Sequence, residues 1–198
     1  MKRLFTSLAL AALLAVPGWA ETAERATADR ATGGLGLVIE RATGSALIVD
    51  RLGRETLNRV EGLGDLSHAS VNFSPDERFA YVFGRDGGLT KIDMLTGTVA
   101  ARVIQAGNSI GGAISDDGKL VAVSNYEPGG IRVFDADTLE MIADIPAPSK
   151  TVGLVALPGR RFAWALWDTG EAWMADFSGP EMPTAKLGDT GANPYDAV

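Results

Sequence analysis

The chain has one histidine, His68, and no cysteine. These counts exclude a disulfide scaffold, a thiolate metal site and a multi-histidine zinc site. A lone imidazole suits another task, the axial position of a haem iron, which takes one strong nitrogen donor from the protein. Arginines meet carboxylates through charge-assisted, often bidentate bonds. Arg41 and Arg85 stand in short turns beside glycines that permit close approach. Tyr126, Tyr195 and Trp167 offer aromatic faces for a flat apolar surface. Together these residue types would suit a flat, anionic, iron-bearing macrocycle. A bland reading stands beside this one. A single histidine at a strand start also serves as a hydrogen-bonded structural residue, and an arginine in a turn as a solvated charge.

The elements that must position these residues form a repeat. Asp50, Asp93, Asp135 and Asp176 are spaced 43, 42 and 41 residues apart. Each ends a short apolar segment, such as Ile131-Arg-Val-Phe-Asp135. Three of these follow a second apolar run: Phe79–Phe83, Leu120–Ser124 and Phe162–Leu166. Before each run stands a turn: Ser74–Arg78, Ser115–Lys119 and Leu157–Arg161. Runs of this length, rich in Val, Ile, Phe and Tyr and bounded by Gly, Pro and Asp, are strands. Four strands in about 42 residues mark a propeller blade. The expected fold is all-β, a β-propeller with four-stranded antiparallel blades; a β-sandwich with coincidental spacing is the alternative. The units run over 34–64, 65–108, 109–149 and 150–190, the first without its innermost strand. Residues 191–198 read as the opening of a fifth. Trp164, Trp167 and Trp173 read mostly as packing between blades, and an open ring of this kind would leave a flank near them uncovered. The repeated aspartates are turn residues rather than catalytic ones. Gly33-Gly-Leu-Gly36 imitates a phosphate loop, but no helix follows it.

Strand parity assigns a face. In a four-stranded antiparallel blade, the turn after strand two and the loop entering strand one share one end, here called the top. His68, Ser109, Thr151 and Tyr195 then occupy one repeated position, at spacings of 41, 42 and 44. Arg41, Arg85, Tyr126 and Trp167 occupy another, at 44, 41 and 41. Both rings look into the top of the channel. The candidate ligand-binding residues are therefore His68, Arg41, Arg85, Ser109, Tyr126 and Tyr195, with His68 as the candidate metal ligand.

Composition narrows the setting. A pI near 4.7 and a net charge of −7 disfavour nucleic acid as a partner. Lys2-Arg3, the uncharged run Leu4–Val16, and Gly18-Trp-Ala20 read as a signal peptide over 1–20. The apolar run is too short to span a bilayer. Cleavage after Ala20 removes Lys2 and Arg3 and takes the charge from −7 to −9. Residues 21–33 read as a flexible leader. The mature chain is expected to be periplasmic and soluble, with no membrane span.

Several stretches then resemble a known family. They are Gly62-Leu-Gly-Asp-Leu-Ser-His-Ala-Ser70, Phe79-Ala-Tyr-Val-Phe-Gly-Arg-Asp-Gly-Gly-Leu-Thr-Lys-Ile-Asp93, Gln105-Ala-Gly-Asn-Ser-Ile-Gly-Gly-Ala-Ile-Ser115 and Val123-Ser-Asn-Tyr-Glu-Pro-Gly-Gly130. They are similar to the NirF-type d1 haem biosynthesis proteins and, more distantly, to the d1-haem propeller of cytochrome cd-type nitrite reductases. The resemblance spans about residues 34–198. It implies an eight-bladed propeller of which this chain is about the first half. It implies that d1 haem, or a late precursor of it, is the ligand. By position, His68 matches the proximal iron ligand of the reductase propeller, Arg41 and Arg85 match pocket-rim arginines, and Tyr126 matches a pocket tyrosine. It implies a role in d1 haem maturation for nitrite reductase in denitrification. Nitrite reductase and other d1 haem maturation proteins are the implied partners. Such a protein either modifies the side chains of its ligand or carries it unchanged; an interaction scaffold is the third reading. The lipid-anchoring cysteine of some relatives is absent here.

Overall fold

The computed structural model describes residues 32–196, so the expected signal peptide and most of the leader lie outside the described residues. A 3-10 turn (Thr32–Gly34) is followed by fifteen strands in four antiparallel sheets. Blade 1 holds β1 (Leu35–Glu40), β2 (Ser45–Asp50) and β3 (Glu55–Val60). Blade 2 holds β4 (Ser70–Phe73), β5 (Phe79–Phe83), β6 (Gly88–Asp93) and β7 (Thr98–Ile104). Blade 3 holds β8 (Asn108–Ile114), β9 (Leu120–Glu127), β10 (Ile131–Asp135) and β11 (Met141–Ile145). Blade 4 holds β12 (Thr151–Leu157), β13 (Arg161–Leu166), β14 (Glu171–Asp176) and β15 (Thr184–Asp189). Strand order within each sheet is sequential. The expected propeller blades are present, and blade 1 has three strands, as its missing first segment implied.

Local chemistry explains the repeat. In two of the blades a serine closes the turn after the inner strand. Ser74 Oγ accepts from the Phe79 amide and donates to Asp76 Oδ1 at 2.6 Å; Ser115 does the same with Leu120 and Asp117. The four aspartates expected in turns are found there. Asp93 Oδ1 accepts from the amides of Leu95 and Thr96, and Asp135 Oδ1 from those of Asp137 and Thr138. Such side-chain acceptors stabilise the turn conformation locally. Gly87 is required at the top: its φ is 79°, and a Cβ there would lie 1.7 Å from the Ala106 carbonyl oxygen.

Packing occurs between blades, with both faces of each inner sheet buried. Ala80 and Val82 of β5 join Ile48 and Leu37 of blade 1 in one cluster. Tyr81 and Phe83, the alternate residues of the same strand, pack with Val121 and Val123 of blade 3. Burial on both faces explains why the strands read as apolar runs rather than as alternating patterns. Asn72 donates through its amide to the Gly112 carbonyl, linking the inner strands of blades 2 and 3.

Two of the tryptophans pack between blades, as expected. Trp164 is buried at 3% exposure and packs with Phe162, Leu166 and the partly buried Trp173 against Ile131 and Val133 of blade 3. These tryptophans therefore belong to the joint between blades 3 and 4. The opposite face of blade 4 carries the paired Ala163 and Met174, and the paired Ala165 and Ala172. Strand alternation decides this: Trp164 stands one residue from each alanine and so points to the other face.

Candidate functional site

His68 lies in the turn just before β4 and is exposed. That turn is held from within. The buried Leu66 anchors it, the Ala69 amide donates to the Leu66 carbonyl at 3.2 Å, and Asp65 Oδ1 accepts from the Ser67 amide at 2.8 Å. The Asp65 carbonyl then accepts from the Arg85 amide at 2.8 Å. This one main-chain bond brings the His68 turn and the β5–β6 turn together. The Asp65 carboxyl sits below its ordinary pKa, first because Ser67 hydrogen-bonds to it and further because Arg85 is near.

His68, Arg85, Asn108, Ile110 and Tyr126 line a single depression of about 240 Å³ at the top of blades 2 and 3. Among the described residues, no hydrogen bond or ion pair engages the His68 imidazole or the Arg85 guanidinium. The half-buried Tyr126 ring has the Lys150 ammonium 5.2 Å from its centroid. The depression thus offers a ring nitrogen, a guanidinium, an amide, an aromatic face and one apolar side chain. This donor set fits a flat iron macrocycle with anionic substituents.

The other expected residues fall elsewhere. Arg41 is exposed in the β1–β2 turn, at the same end of the blades, but does not line this depression. Ser109 is buried at 1% exposure, and its hydroxyl donates to the Gly84 carbonyl at 2.5 Å. Thr151 is buried and accepts from the Gly130 amide at 2.8 Å. Tyr195 lines a neighbouring depression and meets Trp167 edge-on, with ring centroids 6.0 Å apart. The ring of equivalent positions His68, Ser109, Thr151 and Tyr195 is therefore not preserved in three dimensions. The cause is register: β8 is bulged between Asn108 and Gly111, and β12 between Val152 and Leu154. Each bulge shifts the entering residues relative to blade 2. Asn108 and Ile110 escaped the sequence reading for the same reason. Both flank Ser109 in β8, and they face the depression while its hydroxyl turns to Gly84.

Sheets arranged blade against blade, with an imidazole and a guanidinium free at one end, define a section of a β-propeller. The chain belongs to the Cytochrome D1 heme domain family, whose model matches residues 30–198. It is 58% identical to Protein NirF of Pseudomonas aeruginosa over 178 residues, covering 85% of this chain and 45% of that protein. It is 57% identical to Protein NirF of Stutzerimonas stutzeri, covering 85% of this chain and 46% of that protein. A solved structure, dihydro-heme d1 dehydrogenase NirN in complex with DHE, superposes with a TM-score of 0.74 at 30% identity, covering 80% of this chain and 35% of that one. Hydrazine synthase of Kuenenia stuttgartiensis shares the fold, with a TM-score of 0.67 at 16% identity, covering 82% of this chain and 55% of that one. The chain thus spans a little less than half the length of the curated relatives it matches. No helix among the described residues is long and apolar enough to cross a membrane.

Proposed function

We propose that this chain forms part of a periplasmic d1 haem maturation propeller and binds d1 haem, or a late precursor of it, at the His68 depression. The observation that carries the reading is the convergence of His68, Arg85 and Tyr126 on one hollow, with imidazole and guanidinium unengaged among the described residues. His68 is the iron ligand; iron held there supplies a coordination centre and a chromophore. Arg85 receives a peripheral carboxylate, and Arg41, at the same end, meets a second one at the rim. Tyr126 would offer its aromatic surface to the macrocycle, with the Lys150 ammonium 5.2 Å from its ring centroid. Similarity to the NirF proteins and to the ligand-bound NirN structure supports the choice of pigment.

Titration with d1 haem followed by absorbance tests this. His68→Ala should change the ligand-field bands as well as the affinity, because a coordinate bond is lost. Arg85→Gln should leave the bands in place and weaken binding by about ten- to a hundredfold, the loss of one charge-assisted bond of roughly 1.5–3 kcal/mol. Wild-type spectrum and affinity in His68→Ala would make His68 a structural residue. The pigment recovered after incubation with a precursor separates the roles: a new pigment marks an enzyme, an unchanged one a carrier. No spectral shift with the wild type marks a scaffold.

A further inference from the structure

Arg85 and Tyr126 line the same depression but come from different blades, so their separation is set by whatever joins the β5–β6 turn to the end of β9. Residues 105–109, which lead from β7 of blade 2 into β8 of blade 3, make that join. Gln105 Nε2 donates to Asn125 Oδ1 at 2.8 Å, and Asn125 Nδ2 donates back to Gln105 Oε1 at 3.2 Å. Asn125 is buried and directly precedes Tyr126. The Gln105 main-chain amide donates to the Gly87 carbonyl at 2.9 Å, in the turn that carries Arg85. Ser109 Oγ donates to the Gly84 carbonyl, at the start of that same turn. Asn108, between the two, lines the depression itself.

The Gln105–Asn125 pair has the chemistry of a fixed spacer. Two carboxamides facing each other use one donor and one acceptor apiece. The pair satisfies a buried amide and fixes both distance and rotation, where an apolar pair of the same size would allow sliding. Gln105 and Ser109 are not among the residues lining the depression, so neither touches a ligand held there. Blade packing has other means: Tyr81 and Phe83 meet Val121 and Val123 between blades 2 and 3, and main-chain pairing joins β8 to β9. Two polar side chains tied off beside the depression therefore serve to place its walls.

We infer that Gln105 and Ser109 are positioning residues for the ligand seat. Gln105 acts through Asn125 on Tyr126, and Ser109 acts through the Gly84 carbonyl on Arg85. The inference rests on the d1 haem reading above and adds how the seat keeps its shape before the ligand arrives. Substituting Gln105 leaves its main-chain bond to Gly87 in place, so the Arg85 turn stays held while the Tyr126 side is released. Removing the Ser109 hydroxyl does the reverse.

Double-mutant cycles, read by absorbance titration of the whole chain with d1 haem, test this. Gln105→Met and Ser109→Ala should each weaken binding by about three- to tenfold, the effect of one or two neutral hydrogen bonds. The ligand-field bands, set by His68, should stay in place. In a Tyr126→Leu background the Gln105→Met effect should shrink to less than about twofold, while the Ser109→Ala effect persists. In an Arg85→Gln background the pattern should invert. General destabilisation weakens binding equally in every background, so the pattern separates positioning from a purely structural role. Gln105→Glu keeps the bond from Asn125 Nδ2 and loses the other; it should show a smaller loss with the same dependence on Tyr126, and it replaces Gln105→Met if that variant does not fold. Wild-type affinity in either variant, losses of one size in all backgrounds, or altered bands overturn the inference and leave the His68 site standing. A wild-type chain that does not bind d1 haem overturns the reading of that site itself, and this inference with it.

Discussion

Arg102 Nη2 donates to Asp86 Oδ2 at 2.9 Å, while its Nη1 donates to Thr90 Oγ1 at 2.9 Å. The other carboxylate oxygen of Asp86 accepts from the Gly88 amide at 3.0 Å. Asp86 follows Arg85 directly in the chain, while Asp65 is the carboxyl on which Arg85 acts. The Asp86 carboxylate is engaged with Arg102 and Gly88, and Arg85 lines the depression. The crowding is tight: a Cβ at Gly64 would lie 2.1 Å from Asp86 Oδ2 and 2.6 Å from Arg102 Nη2.

Arg102 is thus a positioning residue that acts through Asp86. Arg102→Gln frees a negative charge beside Arg85 and should weaken d1 haem binding by about three- to tenfold, with no change in the ligand-field bands. Adding Asp86→Asn removes that charge and should restore most of the affinity. Absorbance titration checks both. A double variant no better than Arg102→Gln would assign the effect to misfolding of the turn instead.

Lys91 is buried at 4% exposure, with its ammonium 4.1 Å from the centroid of Phe79 and 3.3 Å from the Asp137 carbonyl oxygen. It ties blade 2 to blade 3 through its contacts with the Asp137 carbonyl and carboxylate, while the cation–π contact with Phe79, of order 0.5–2 kcal/mol, and the packing of its stem hold it within blade 2. Lys91→Met keeps the stem and removes the desolvated charge, so it should change stability by no more than about 1 kcal/mol. Lys91→Ala also opens a void and should cost about 2–3 kcal/mol. Urea denaturation of the two variants gives the comparison, and equal losses would make the charge, not the packing, the dominant contribution.

Acid should loosen blade 4. The Asp176 carboxyl is held at about 2, down from an ordinary 3.8, by its bonds with Ser178 and Arg161, the latter at 2.7 Å. A carboxylate lowered on folding adds stability above its unfolded pKa. That stability is lost as the pH falls through the folded value, here between about 4 and 2. The melting temperature of the wild type should therefore drop more steeply over this window than that of Asp176→Asn. Parallel curves would show that the bonds of Asp176 do not persist in solution.

Lys2-Arg3, the Leu4–Val16 run and Gly18-Trp-Ala20 lead us to propose export. N-terminal sequencing of protein from the cell envelope fraction should begin at Glu21. An intact Met1 on cytoplasmic protein contradicts the periplasmic role.

The repeat was legible in the sequence because blade chemistry is local. Asp50, Asp93, Asp135 and Asp176 cap turns with their own neighbours' amides, and Ser74 and Ser115 close theirs within five residues. Spacing and residue type therefore specify four sheets and place His68 and Arg85 at one end. Only the tertiary structure decided which side chains face the depression. Strand register leaves no mark in composition, and it turns Ser109 inward to Gly84 while Asn108 and Ile110 join His68. The two faces of blade 4 were settled the same way. Trp164 and Ala165 look equally at home in an apolar strand, and alternation about a known register sends one to the joint with blade 3 and the other to the opposite face.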